Sequence, residues 1–408
     1  MKKYIYRFLF ISNLFTLIIF SITGCTTIKA VNTIKAGEIQ LTSAIEQKIS
    51  VEKNGHALII KTHINESDKE YNFILDTGAL TAISKQVAKE IGLNNGIKIG
   101  VKDSAGNTKK DVSLVQLDSI TVEDIKVNQC AAAVIDLSKI GSNVDGILGS
   151  NFLRFFKVTI DYQTQKIIFS NSNNPTKIYK NTLQIPFQQK LKYGYAPIIA
   201  CYIDDKISAK CIIDTGAPFL AGIPFSIMKK IKAFKNGNVI EAKGTMSGGA
   251  FGTDEKSFIL LADKLNIGGF IITDAPLISK NAKDDNLLIG ERFLSNFKIT
   301  IDYPNSKLFL TRNKSNTLKN DLESFGIAFN KLEDKTVVMG IWSGSAADNG
   351  QIKIGDEVIS INSIKTEDLS IGDMANISRN NTELNLKYLS DNQVKNITLN
   401  KKKLFGNS

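Results

Sequence analysis

EYNFILDTGAL, residues 70–80, and AKCIIDTGAPF, residues 209–219, are the stretches on which the reading of this chain turns. Each is a short apolar run that reads as a strand, the first with period-two alternation, and each runs into Asp-Thr-Gly-Ala. Asp76 and Asp214 lie 138 residues apart. A single motif of this kind is a turn. Two in matching contexts put carboxylates at equivalent strand ends of a duplicated chain.

The duplication extends past these motifs. DGILGSNFLRFFKVTIDY, residues 145–162, answers to NLLIGERFLSNFKITIDY, residues 286–303. In both, an apolar pair enters a glycine, an amphipathic turn ends in Phe-Leu, and a strand leads to Asp-Tyr. Gly149 and Gly290 are 141 residues apart, as are Asp161 and Asp302. A repeat of this size is a domain-sized unit, not a solenoid period. Asp161 and Asp302 read as turn acceptors of backbone hydrogen bonds. Asp145, opposite Asn286 in the repeat, also reads as structural.

The motif residues have distinct chemical tasks. Two carboxylates in one cleft cannot both ionise cheaply, so a proton is held jointly. The ionised partner can then activate a water while the protonated one polarises an amide carbonyl. Thr77 and Thr215 can hydrogen-bond across the pseudo-twofold, and Gly78 and Gly216 remove bulk where the loops approach. No metal or other cofactor is required.

The two motifs, followed by the apolar-apolar-Gly elements of DGILG and LLIG, resemble those of the retropepsin-like and pepsin-like aspartic proteases. The resemblance implies a mainly β fold of two pseudo-symmetric closed β-barrel lobes, over residues 51–175 and 180–315. It assigns Asp76 and Asp214 as the catalytic pair, supported by Thr77, Gly78, Ala79, Thr215, Gly216 and Ala217, with Gly149 and Gly290 in the supporting elements. Both halves lie in one chain, so the active site requires no dimerisation. Hairpins that could cover a substrate are expected at Ser104, Ala105 and Gly106 and at Gly248 and Gly249, although neither tip reproduces a familiar flap sequence closely.

Locally, residues 56–76 read as strand, turn and strand, residues 81–93 as a short helix ending near Gly92, and residues 98–117 as a hairpin. The second half repeats the plan, with a hairpin over 195–214 and one helix over 224–234. LTSAIEQKI, residues 41–49, has a modest helical tendency.

The remaining sequence bounds the setting. The chain has 408 residues and a 43% apolar fraction, enough for two or three cored domains. Its net charge of +11 comes from scattered lysines rather than an arginine-rich stripe with aromatics, which reads as a solvated basic surface and not as a nucleic-acid groove. The N-terminus has basic residues, a largely apolar run over 8–20, and SITGC ending at Cys25. It resembles a bacterial lipoprotein signal over residues 1–24. That implies acylation of Cys25, a tether over 25–50, membrane attachment and a place in the bacterial cell envelope. Thr26 after the cysteine favours the periplasmic face of the outer membrane. Cys130, Cys201 and Cys211 remain, and the last two either face each other across a hairpin or are buried free thiols. The only histidines, His56 and His63, lie in the first half, no cysteine sits in a nucleophile turn, and there is no HExxH, cysteine cluster or calcium loop.

Residues 321–403 form a third unit. GSAADNGQIKIGDEVISINSI, residues 344–364, resembles a PDZ domain, which binds extended peptide ends as an added strand. Phe325, Gly326 and Ile327 match its carboxylate loop in abbreviated form. Such a domain would recruit or regulate polypeptide substrates. The expectation is therefore a membrane-tethered, exported aspartic endopeptidase, and the alternative is a non-catalytic, peptide-binding envelope scaffold.

Overall fold

A computed structural model describes residues 26–39, 46–93, 96–101, 110–137, 143–171, 173–246, 248–249, 252–253, 256–280, 285–313, 322–332, 334–350 and 352–405. The fold is β-rich. In the first half, strands Ala57–Ile64, Tyr71–Leu75, Gly146–Leu148, Ala82–Ser84, Ile125–Ile135 and Lys110–Val122 pair successively. Lys110–Val122 then returns to Ala57–Ile64, which closes a six-stranded barrel. Alternation decides its inside: Tyr71, Phe73 and Leu75 point into the core.

The strands of the second half pair in the same cyclic order. Ile198–Ile203 pairs with Ile207–Ile213, which lies parallel to Asn286–Ile289; the sequence continues through Ala221–Pro224, Phe270–Lys280 and Phe258–Ile267 back to Ile198–Ile203. A disulfide joins Cys201 to Cys211 across the hairpin, resolving the two possibilities left by the sequence. Cys130 is buried, and burial pushes its thiol up to about 12.

A six-stranded sheet ties the halves together. At its centre Lys157–Asp161 pairs antiparallel with Phe297–Asp302, and the Thr159 and Thr300 hydroxyls meet at 2.8 Å. Its far edge is Glu46–Ser50, paired over five residues with Lys166–Ser170. Over residues 46–49 this corrects the helical tendency read over 41–49, whose first five residues lie outside the described residues: the open edge offers a ladder of backbone partners, and Ile49 enters the core. The helical stretch of the lead-in covers 26–35 instead. The single helix expected over 224–234 is two, Phe225–Met228 and Lys232–Lys235. Ile231 between them is extended (φ −71°, ψ 140°) and fully buried, so the break turns an apolar side chain inward.

The C-terminal region has its own core, with Phe325, Val338, Ile341, Val358, Ile361, Met374, Leu384 and Leu386 packed together. Strands Ile327–Leu332, Lys335–Trp342, Glu357–Ile361, Glu383–Ser390 and Gln393–Asn400 form its sheet. Helix Ile371–Asn380 starts at a capping box in which Ser370 Oγ accepts from Asp373 N and Asp373 Oδ2 accepts from Ser370 N. The region docks by strand addition: Ile240–Gly244 pairs with Lys335–Trp342, with Ala242 opposite Trp342. Among the described residues no helix is long and apolar enough to cross a membrane.

Candidate active site

Asp76 and Asp214 leave their strands in the same way. Leu75 is in register with Leu148, and Asp76 N donates to Leu148 O at 3.1 Å; Ile213 is in register with Ile289, and Asp214 N donates to Ile289 O at 2.9 Å. Each aspartate accepts from the glycine amide two residues on, Gly78 N to Asp76 Oδ1 at 2.8 Å and Gly216 N to Asp214 Oδ1 at 2.9 Å.

The two loops are bound to each other through their threonines. Thr77 N donates to Thr215 Oγ1 and Thr215 N to Thr77 Oγ1, both at 3.1 Å. The hydroxyls donate onward, Thr77 Oγ1 to Ile213 O at 2.7 Å and Thr215 Oγ1 to Leu75 O at 2.9 Å. All of these groups are buried, so each bond also removes the cost of an unmet polar group. The glycines permit the approach: a Cβ on Gly78 would lie 2.6 Å from Asp214 Cγ, and one on Gly216 would lie 2.4 Å from Asp76 Oδ2. Gly149 and Gly290 serve a second layer. A Cβ on Gly149 would meet Thr81 N at 2.4 Å, and one on Gly290 would meet Phe219 O at 2.3 Å. The next residues hold the loops, Ser150 N donating to Ala79 O at 2.9 Å and Glu291 N to Ala217 O at 2.8 Å.

Asp76 is half-buried and Asp214 buried. Burial raises the pKa of Asp76, against the bond from Gly78. Burial raises Asp214 well above the carboxylate range, and the charge of Asp76 raises it further. Two acids placed this way titrate as a pair and retain one proton beyond the pH at which a lone carboxyl would lose it.

Several residues that the sequence reading left without a role stand directly behind these loops. Ser150 Oγ donates to Thr77 O at 2.7 Å and lies 3.0 Å from Tyr303 OH. His56 Nε2 lies 2.9 Å from Gly216 O. Burial lowers the pKa of this imidazole; facing a carbonyl, its Nε2 carries the proton and donates. Glu291 accepts from Lys53 Nζ at 2.9 Å and from Arg379 Nη1 at 3.3 Å. The mismatch of Ser150 with Glu291 in the internal repeat was the available signal for this asymmetry.

Other expected residues lie elsewhere. Asp161 Oδ1 accepts from Gln163 N at 3.1 Å and Asp302 Oδ1 from Asn305 N at 3.2 Å, so both hold turns, while Asp145 Oδ2 accepts from Asn72 N at 2.8 Å and ties its loop to strand Tyr71–Leu75. Ser104, Ala105 and Gly106 lie outside the described residues, between the paired ends of Ile97–Val101 and Lys110–Val122. Gly248 and Gly249 pair antiparallel with Thr253 and Gly252. Phe325 packs in the core of the C-terminal region, Gly326 has φ +77° against Ser345, and Ile327 begins a strand. Cys25 lies outside the described residues.

A family model described as aspartyl protease matches residues 60–152. No curated protein matches the chain. Among solved structures, the crystal structure of a retropepsin-like aspartic protease from Rickettsia conorii matches at 18% identity over 33% of this chain and 94% of that one, with a TM-score of 0.25. The crystal structure of Basic 7S globulin from soybean matches at 12% identity over 66% of this chain and 95% of that one, with a TM-score of 0.37. The likeness to aspartyl proteases that the family model supports is thus partial, confined to residues 60–152.

Proposed function

We propose that this chain is an aspartic endopeptidase with Asp76 and Asp214 as its catalytic pair. The observation that carries the reading is the reciprocal bonding of Thr77 and Thr215, which holds two equivalent Asp-Thr-Gly loops face to face. In this reading residues 51–175 and 180–315 are the two lobes. The ionised carboxylate of the pair takes a proton from a water as its oxygen bonds to the amide carbon. The protonated carboxyl gives its proton to the carbonyl oxygen. Collapse of the tetrahedral species breaks the C–N bond while a carboxyl proton passes to the leaving nitrogen. Thr77, Thr215, Gly78 and Gly216 set the separation of the two acids; Ala79, Ala217, Gly149 and Gly290 hold the loops from behind.

Residues 321–403 form a PDZ-like domain in the same proposal. Strand Ile327–Leu332 and helix Ile371–Asn380 flank its peptide groove, and residues 325–327 form its terminal loop. Residues 1–24 are a lipoprotein signal, and acylated Cys25 anchors the enzyme at the periplasmic face of the outer membrane. Palmitate labelling tests the anchor: label that persists in Cys25→Ser would remove it from the proposal.

The deciding experiment is cleavage of a diverse peptide library from pH 3 to 8, with Asp76→Asn and Asp214→Asn run beside the parent. Loss of cleavage in both folded variants is expected. Cleavage unchanged in either, or none by a folded parent, favours the peptide-binding scaffold.

A further inference from the structure

Glu291 is a buried carboxylate outside the dyad, and the chemistry proposed above gives it no task. Its amide holds the Ala217 carbonyl at 2.8 Å, so it sits directly behind the loop that carries Asp214. Its side chain is 4% exposed and receives two cations from distant parts of the chain. Lys53 comes from strand Glu52–Asn54 in the first half, and Arg379 comes from the last turn of helix Ile371–Asn380 in the C-terminal region.

The tip that follows Lys53 is gripped from both sides. Asn54 Oδ1 accepts from Asn376 Nδ2 at 3.2 Å and Gly55 O from Arg379 Nη1 at 3.3 Å, while His56 Nε2 donates to Gly216 O at 2.9 Å. A Cβ on Gly372 would lie 2.8 Å from Asn54 Oδ1, so helix and tip are in close contact. Arg379 therefore reaches the Asp214 loop by two routes: through Glu291 to Ala217, and through residues 54–56 to Gly216.

A buried carboxylate with charged partners is an expensive way to hold a loop, because desolvation offsets much of the attraction. Ser150, at the matching position behind Asp76, holds its own loop with a neutral hydroxyl. What Glu291 adds is a charge-dependent connection to the C-terminal region. We infer that Arg379 is a positioning residue: by holding Glu291 and the 54–56 tip, the docked C-terminal region sets the Asp214 loop in its working orientation, and hydrolysis depends on that docking. The inference rests on the peptidase reading above.

The test uses the full-length protein in detergent, as parent, Arg379→Ala, Arg379→Lys, Glu291→Ser and the Arg379→Ala/Glu291→Ser pair. Arg379→Ala is expected to lower kcat by about 10-fold with KM changed less than about 2-fold, and Arg379→Lys to recover part of the loss. In the Glu291→Ser background, Arg379→Ala should lower kcat much less, because one of its two routes is already gone. Hydrogen exchange at the amides of residues 214–217 should quicken by about 10-fold in Arg379→Ala, with residues 76–79 unaffected. Unchanged kcat in Arg379→Ala, or an equal loss in both backgrounds, overturns the inference. If the parent does not cleave peptides the peptidase reading falls separately, and the exchange result alone decides whether Arg379 sets the loop.

Discussion

Behind the Asp76 loop the residue after Gly149 is Ser150, and behind the Asp214 loop the residue after Gly290 is Glu291. Ser150 bonds inward, to Thr77 O and Tyr303 OH. Glu291 bonds outward, to Lys53 and Arg379, and the hydroxyl of Tyr162, the counterpart of Tyr303 in the repeat, is buried with no hydrogen-bond partner among the described residues. Around this one exchange the halves stay alike. Gly78 and Gly216 face a carboxylate, Gly149 and Gly290 face backbone, and the threonines exchange the same bonds. Positions where two backbones nearly touch tolerate no side chain, so they are alike in both halves. A position one step behind them can be given a charge, and that half becomes connected to the rest of the molecule.

The largest expected effect tests whether the likeness extends to the reaction. Asp76→Asn and Asp214→Asn should each lower kcat by about 10⁴-fold or more, because neither acid alone can both activate water and protonate the carbonyl. A variant retaining a tenth of the parent rate would mean that one carboxylate suffices. Thr77→Val and Thr215→Val come next. Each leaves an opposing buried amide without its acceptor and should cost about 1–3 kcal/mol in denaturant unfolding. Because both belong to one network, the double variant should cost less than the two together; strict additivity would show that the loops are held independently.

The dyad also gives a pH signature. Both folded pKa values are raised, mainly by burial, so the folded state binds protons more tightly than the unfolded chain. That contribution is fully present below the unfolded carboxylate pKa of about 4 and is lost as pH rises through the folded values. Asp214→Asn removes the larger share of that loss, since Asp214 is the more strongly raised of the two. Its melting temperature should equal the parent's near pH 3 and exceed it at pH 8 by a few degrees, about 2–4 °C per kcal/mol in large domains. A gap that narrows with rising pH contradicts the raised pair. The rate profile should be bell-shaped, with its alkaline limb above the ordinary carboxylate range.

The strands leading to Asp76 and Asp214 were legible because alternation, a four-residue turn motif and a later apolar-Gly element all agreed on one arrangement. Glu46–Ser50 was not: its extended form comes from the sheet edge it joins, and its own residues lean towards helix. Nor did Ile240–Gly244 announce its pairing with Lys335–Trp342, since a short, glycine-ended strand carries no label for its neighbour. Glu291 was visible as a departure from the repeat, but its partners lie 238 and 88 residues away, and no local pattern encodes such a contact. His56 read as an isolated histidine for the same reason.

The smallest expected effect is the sharpest probe of the Ser150 and Glu291 exchange. Tyr303 and Tyr162 are both buried, and burial raises the pKa of both phenols, so each stays neutral through the working pH range. Among the described residues, Tyr303 has a hydroxyl partner, Ser150 Oγ at 3.0 Å, and Tyr162 has none. Tyr303→Phe should therefore cost about 1 kcal/mol, while Tyr162→Phe should change stability by no more than about 0.5 kcal/mol, because it removes a buried polar group that meets no partner among the described residues. Combining Tyr162→Phe with Glu291→Ser separates the causes further. If Glu291→Ser restores the inward bond seen behind Asp76, Tyr162→Phe becomes costly in that background and stays nearly neutral in the parent. Equal costs for the two tyrosines in the parent would mean that Tyr162 is already satisfied, and that the exchange of serine for glutamate did not empty its position.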